Sequence, residues 1–201
     1  MTPSTRLILA SGSATRATLL RDAGLVVEVR PAPIDEGEIK RSARGEGVSA
    51  EDTATLLAEL KAVRVARANP DALVIGADQL LVCEERWFDK PASLAEARSH
   101  LLALRGRTHT LVTAVVVFRG DQRIWQHLAR PRMTMRPFGD AFLDAYLTAE
   151  GTRTMQTVGG YRLEGPGAQL FDAVVGEHAA ILGLPLLPLF GFLRQTGALL
   201  T

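Results

Sequence analysis

One cysteine stands among 201 residues, Cys83, so the chain has no internal disulfide framework; its apolar neighbours Leu80, Leu81 and Val82 predict a small core residue with no nucleophile signature around it. A lone thiol suits a reducing compartment. An excess of one charge is missing too: 23 Lys and Arg against 22 Asp and Glu leave a net charge of +1, which excludes the basic footprint of a dedicated nucleic-acid binder. Anion recognition must then be local. No stretch is long enough to span a bilayer, the longest late apolar segment (residues 181–193) being short and proline-rich, and the N-terminus shows no leader pattern, so a soluble cytoplasmic protein without a membrane partner is expected. Internal repeats and low-complexity segments are lacking. The four histidines, His100, His109, His127 and His178, show no metal-ligand spacing and are read as structural, and no Ser-His-Asp elbow occurs. What is present is 47% apolar residues, which excludes disorder and predicts one domain over residues 1–201, with room for two lobes.

The chain is organised around residues 7–20, LILASGSATRATLL, where an apolar run breaks at Ser11-Gly12-Ser13 and resumes with helical spacing at Arg16, Leu19 and Leu20. This predicts a strand, a tight turn and a helix capped by Ser13, with Gly12 letting the backbone bend. Free N–H groups at such a helix start favour phosphate, and Arg16 in the first turn adds a fork for the same anion; plain capping gives the same pattern.

A second strand is expected near residues 25–30, then a charged loop over residues 34–50 that carries Asp35-Glu36 and is placed to close over a ligand. Ser49-Ala50-Glu51-Asp52 reads as a capping box opening a long helix to about Ala68. On it Lys61 sits in a stripe of Ala54, Leu57, Ala58, Val65 and Ala68, either a lysine whose stem covers apolar surface or an internal phosphate ligand. Residues 73–77 form a buried-strand pattern ending on Asp78 before apolar residues resume at Leu80. A buried aspartate must be paired, hydrogen-bonded or metal-bound, although a strand-end turn also uses Asp. Lys90 follows in a loop over residues 86–91, then a helix to about Leu104, a hairpin of residues 110–118 and 123–135, a helix over 139–149, a glycine-rich segment, a strand over 170–175 and a last helix to about Gln195. The sum is α/β, a central mixed twisted sheet with flanking helices.

The order SxSxxR with a Leu-Leu pair, Asp35-Glu36, Gly76-Ala77-Asp78-Gln79, Lys90-Pro91, Gly159-Gly160-Tyr161 and Gly183-Leu184-Pro185-Leu186 resembles the Maf family of nucleoside triphosphate pyrophosphatases over roughly residues 7 to 195. The resemblance implies the inosine-triphosphatase-like fold with two lobes around a cleft, hydrolysis of a nucleoside triphosphate between its alpha and beta phosphorus with a divalent metal (Mg2+ or Mn2+), and a homodimer. Asp78 matches the general base. Ser11, Ser13, Arg16, Lys61 and Lys90 fit a polyphosphate, and Glu36 with Asp78 forms the carboxylate pair for the metal.

Relatives divide by nucleotide, and Thr15, Gln79 and Glu164 are the positions that discriminate. Where the pyrimidine group carries Thr and Gln, this chain has Gln79 and Glu164, which resembles the 7-methyl-GTP group. A carboxylate accepts two parallel hydrogen bonds from the N1–H and 2-amino group of guanine, and a 7-methylated ring adds a positive charge that it favours. Thr15 departs from the aromatic or Arg usual there, and Gln156-Thr157-Val158 replaces the family's common Asp-Lys. A dTTP/UTP pyrophosphatase, an inosine-type housecleaning enzyme and a non-enzymatic nucleotide-binding regulator of septum formation are the alternatives.

Overall fold

Leu7, Ile8 and Leu9 are apolar on both sides of the pleat, which suits a strand covered on both faces, and in a computed structural model describing residues 5–200 they form the buried β1 (Leu7–Leu9). β1 is flanked by two parallel neighbours, β2 (Val27–Val29) and the first half of β3 (Leu73–Cys83); Leu9 sits opposite Val29 on one side and Ile75 on the other. Parallel neighbours need crossovers, supplied by α1 (Ala14–Asp22) and by α2 (Glu36–Gly45) followed by α3 (Ala50–Ala66). Ser49 caps α3 by accepting from the Asp52 amide at 3.0 Å, the bond the capping box predicts.

The chain forms two compact units. The first comprises residues up to Asp78, Thr113–Ala129 and the chain from Glu177 on. Besides the elements above it holds the second half of β5 (Thr108–Arg119), paired antiparallel with β6 (Gln122–Ala129), and α6 (His178–Ile181) and α7 (Leu186–Gln195). Leu7, Leu9, Leu20, Leu73, Ile75, Val115, Val117, Leu184 and Leu189 fill its core.

The second unit comprises Gln79–Val112 and Arg130–Gly176. Here the far half of β3 pairs with β4 (Arg86–Phe88), β5 pairs with β7 (Arg132–Met135), and β7 with β8 (Phe171–Val175), all antiparallel. Two helices, α4 (Leu94–Leu104) and α5 (Asp140–Glu150), and three 3-10 turns over Gly151–Gln156, Val158–Gly160 and Pro166–Leu170 complete it. The result is the mixed sheet with helices that the pattern of segments predicts. Among the described residues no helix is long and apolar enough to cross a membrane.

Four segments differ from the sequence reading. Residues 36–45 are helix, not loop: Asp35 accepts from the Glu38 amide at 2.9 Å, a cap that outweighs the charge and glycine content of the stretch. β3 runs unbroken through Asp78 instead of ending there. The expected loop at residues 86–91 begins with β4, and the long second hairpin strand is two strands, β6 and β7, parted at Arg130-Pro131, where proline has no N–H to give a ladder.

Candidate functional site

In the first unit the turn after β1 folds on itself. Ser11 Oγ accepts from the Ser13 amide at 3.3 Å, and Ser13 Oγ accepts from the Arg16 amide at 3.3 Å as the N-cap of α1. Gly12 is exposed and Thr15 half-buried beside it. Arg16 is buried, and its side chain ties three segments together: Nη1 donates to Ser11 Oγ at 3.1 Å and to the Ala77 carbonyl at 2.9 Å, while Nε donates to the Gly183 carbonyl at 2.8 Å. Gly183 sits at φ +100°, and a Cβ there would lie 3.2 Å from Arg16 Nε. So the guanidinium commits Nε and Nη1 to holding the turn in shape, while its charge remains beneath it. Burial draws Arg16 below the usual guanidinium range, and the charges of Asp78 and Glu36 act in the opposite direction.

Lys61, Asp78 and Glu36 are brought together by three elements of the same unit. Lys61 lies on the buried side of α3, Asp78 at mid-strand in β3, and Glu36 at the first position of α2. The Lys61 ammonium donates to Asp78 Oδ1 at 2.5 Å and lies 2.7 Å from Glu36 Oε1. Lys61 and Asp78 side chains are only 7% and 5% exposed, whereas Glu36 is 44% exposed, so the group opens to water on the Glu36 side. Asp78 Oδ2 is buried and has no hydrogen-bond partner among the described residues. The lysine on the apolar stripe is thus an internal ion-pair partner, and the strand-end turn reading of Asp78 does not hold.

The remaining candidates belong to the second unit. Gln79 is half-buried on β3, directly after Asp78. Lys90 is exposed in the segment before α4, and its neighbour Asp89 accepts through its carbonyl from the Gly159 amide at 3.2 Å. Glu164 is half-buried and faces Arg162, whose Nη2 lies 3.9 Å from Glu164 Oε1. Cys83 is buried, as its neighbours predict, and burial pushes its thiol above the ordinary range.

Of two further buried groups in this unit, Glu150 has little signal in the sequence, whereas His109 has the packing role expected of it. Glu150, at the end of α5, is a buried carboxylate paired with Arg153 and Arg162, and its only sequence signal is an acid where a helix ends. His109 is 1% exposed, bonded through Nε2 to the Tyr161 hydroxyl at 2.7 Å and packed near Phe171, with burial lowering its pKa to about 4.

That histidine makes stability pH-dependent. Its folded pKa lies below the unfolded value near 6.5, so its contribution is complete above about pH 6.5, falls as the unfolded chain takes up a proton, and is gone by about pH 4. Over that window His109 is expected to account for a loss of up to about 3 kcal/mol. Urea denaturation at pH 7 and pH 4.5, for wild type and His109→Gln, measures it: the variant is expected to show a flatter pH dependence.

The Maf-like protein family matches residues 6–196. Similar curated proteins include the nucleoside triphosphate pyrophosphatase of Granulibacter bethesdensis, 54% identical over 96% of this chain and 98% of that protein, and its counterpart in Rhodospirillum rubrum, 53% identical over 97% and 96%. The 7-methyl-GTP pyrophosphatase of Rhizobium meliloti is 46% identical over 96% of this chain and 97% of its own length. With the strand-turn-helix, the buried lysine-aspartate pair and a match over nearly its whole length, the chain belongs to the Maf family.

Proposed function

We propose that this enzyme hydrolyses a nucleoside triphosphate at the alpha-beta anhydride, releasing the monophosphate and pyrophosphate, with 7-methyl-GTP as its preferred substrate. One observation carries the chemistry: Asp78 is held by Lys61 through Oδ1 while Oδ2 stays buried without a partner among the described residues. A carboxylate fixed by one oxygen has the other aimed and ready to accept a proton. In this reading a water molecule gives that proton to Oδ2 as its oxygen bonds to phosphorus. The bridging anhydride oxygen leaves on the other product. Lys61 keeps Asp78 in one orientation throughout, and Glu36 balances the lysine's charge from the solvent side.

A divalent cation fits this set. Glu36 and Asp78, brought together by the Lys61 ammonium at 2.7 and 2.5 Å, would hold it beside that ammonium, and Asp78 Oδ2 has no partner among the described residues; such hard oxygen donors suit Mg2+ or Mn2+, with substrate oxygens and water as further ligands. When bound, the cation supplies neutralisation of charge that builds on the phosphate oxygens. The rest of the polyphosphate grip falls to the Ser11–Ser13 turn, with its amides at the start of α1 and Arg16 beneath it, and to Lys90. A homodimer and a cytoplasmic setting are further parts of this reading, carried by the family resemblance and by the lone reduced cysteine.

Glu164 is assigned to the purine edge, where its two oxygens accept from N1–H and the 2-amino group, a pair that thymine does not present. The test is product analysis by chromatography with magnesium and, separately, 7-methyl-GTP, GTP, dTTP, UTP and ITP. Monophosphate and pyrophosphate from 7-methyl-GTP are expected, and Glu164→Gln is expected to reduce the preference for that substrate over dTTP roughly tenfold or more, a charged hydrogen bond being the part lost. An unchanged preference removes Glu164 from base recognition.

A further inference from the structure

Glu150 is the least expected charge in the second unit. It ends α5, where the helix carries partial negative charge, and its side chain is 2% exposed. Desolvation and the helix dipole both disfavour a carboxylate there, so it needs strong partners. Two arginines supply them: Arg153 Nη2 lies 3.4 Å from Oε1, and Arg162 Nη1 lies 3.4 Å from Oε2. Arg153 also donates to the Ala149 carbonyl at 2.8 Å.

Arg162 faces two carboxylates. Its other terminal nitrogen, Nη2, stands 3.9 Å from Glu164 Oε1, an ion-pair separation beyond hydrogen-bond reach. Glu164 is 37% exposed, whereas Glu150 is fixed in the interior. The backbone between them is tightly specified: the Arg162 amide donates to the Tyr146 hydroxyl at 3.3 Å, Gly165 takes φ +92°, and a Cβ on Gly167 would overlap the Arg162 carbonyl. The Arg162 side chain, 28% exposed, thus stands between a buried acid and a half-buried one.

We propose that Glu150 is a positioning residue for base selection: it holds the Arg162 guanidinium back from Glu164 and so leaves both oxygens of Glu164 to the base. The proposal rests on the assignment of Glu164 to the purine edge. With Glu150 neutral, Arg162 gains by closing the 3.9 Å gap into a two-pronged pair, a geometry that uses the same two oxygens the base requires. A cationic base suffers most, because the carboxylate that favours it is already neutralised.

The experiment compares kcat/KM for 7-methyl-GTP and dTTP in wild type, Glu150→Gln, Glu164→Gln and the double variant Glu150→Gln/Arg162→Gln. In Glu150→Gln the preference for 7-methyl-GTP is expected to fall roughly tenfold, mainly through KM, while turnover of dTTP changes little. The double variant removes the competing guanidinium and is expected to recover most of the preference, which general damage to the fold does not do. A preference unchanged in Glu150→Gln, but lost in Glu164→Gln, overturns this inference and leaves the assignment of Glu164 standing; a preference unchanged in Glu164→Gln removes the assignment itself. If Glu150→Gln does not fold, Glu150→Asp takes its place, since the shorter acid retreats from Arg162: a preference that falls and is restored by adding Arg162→Gln supports the inference, and an unchanged preference overturns it.

Discussion

Asp78→Asn is expected to lower kcat by on the order of 10³-fold or more for every nucleotide that the enzyme accepts, with a much smaller change in KM. Asparagine has the shape of aspartate and can still accept from Lys61 through its amide oxygen, so the positions of β3 and α3 are expected to persist. What disappears is the buried Oδ2, the only oxygen of the pair without a partner among the described residues and the one assigned to take the proton from water. Stability is expected to move far less than activity. Removing one member of a buried ion pair ordinarily costs about 3–5 kcal/mol because the other charge is stranded, but Lys61 keeps Glu36 at 2.7 Å, so the shift in Tm should stay within a few degrees. Steady-state kinetics with 7-methyl-GTP beside a thermal melt checks both halves. Residual activity within tenfold of wild type excludes Asp78 as the base, whatever its fold partners.

Much of this arrangement is legible in the sequence because it is written in local spacing. Lys61 falls on the apolar stripe of α3 at three-and-four intervals, and Asp78 interrupts an apolar strand, so each is a charge in a place that demands a partner. That the partner of each is the other follows from α3 packing on β3, which neither pattern contains. α2 is legible in its capping residues but not in its composition. Asp35 and Glu38 are a cap-and-third-residue pair of the kind that opens helices, yet the glycines and charges of residues 34–50 suggest a loop when composition is weighed above capping. Pro131 likewise marks the break between β6 and β7. Glu150 and Arg162 lie 12 residues apart across two 3-10 turns, and no periodicity links them. The fork of Arg16 onto Gly183 and Ala77 joins segments 167 and 61 residues away, which only the tertiary structure supplies.

The close approach of α3 to β3 gives the other large expected effect. Gly76→Ala is expected to destabilise the protein by about 2–3 kcal/mol, lowering Tm by roughly 5–10 °C, and to reduce activity in the fraction that still folds. A Cβ at Gly76 would overlap the carbonyl oxygen of Ala58 and stand 2.8 Å from the Cβ of Ala62, both on α3. Neither neighbour can rotate away: one is helix backbone and the other a single methyl group. Glycine at this point is therefore required by contact distance, since its φ is not in the left-handed region. The helix must shift outward to admit the methyl group, and Lys61 lies on the stretch that moves, between Ala58 and Ala62. Asp78 is two residues along β3 on the same strand, so the 2.5 Å bond between Lys61 and Asp78 lengthens with the same displacement. Weakening that bond frees Asp78 to rotate and spoils the aim of Oδ2, which predicts a fall in kcat beyond what the loss of folded protein explains. Activity normalised to the folded fraction, measured well below the variant's Tm, separates the two contributions. Normalised activity equal to wild type would mean that the strand and helix relax without disturbing the ion pair. A lowered value with unchanged KM would tie the glycine to the chemistry through the separation of α3 from β3.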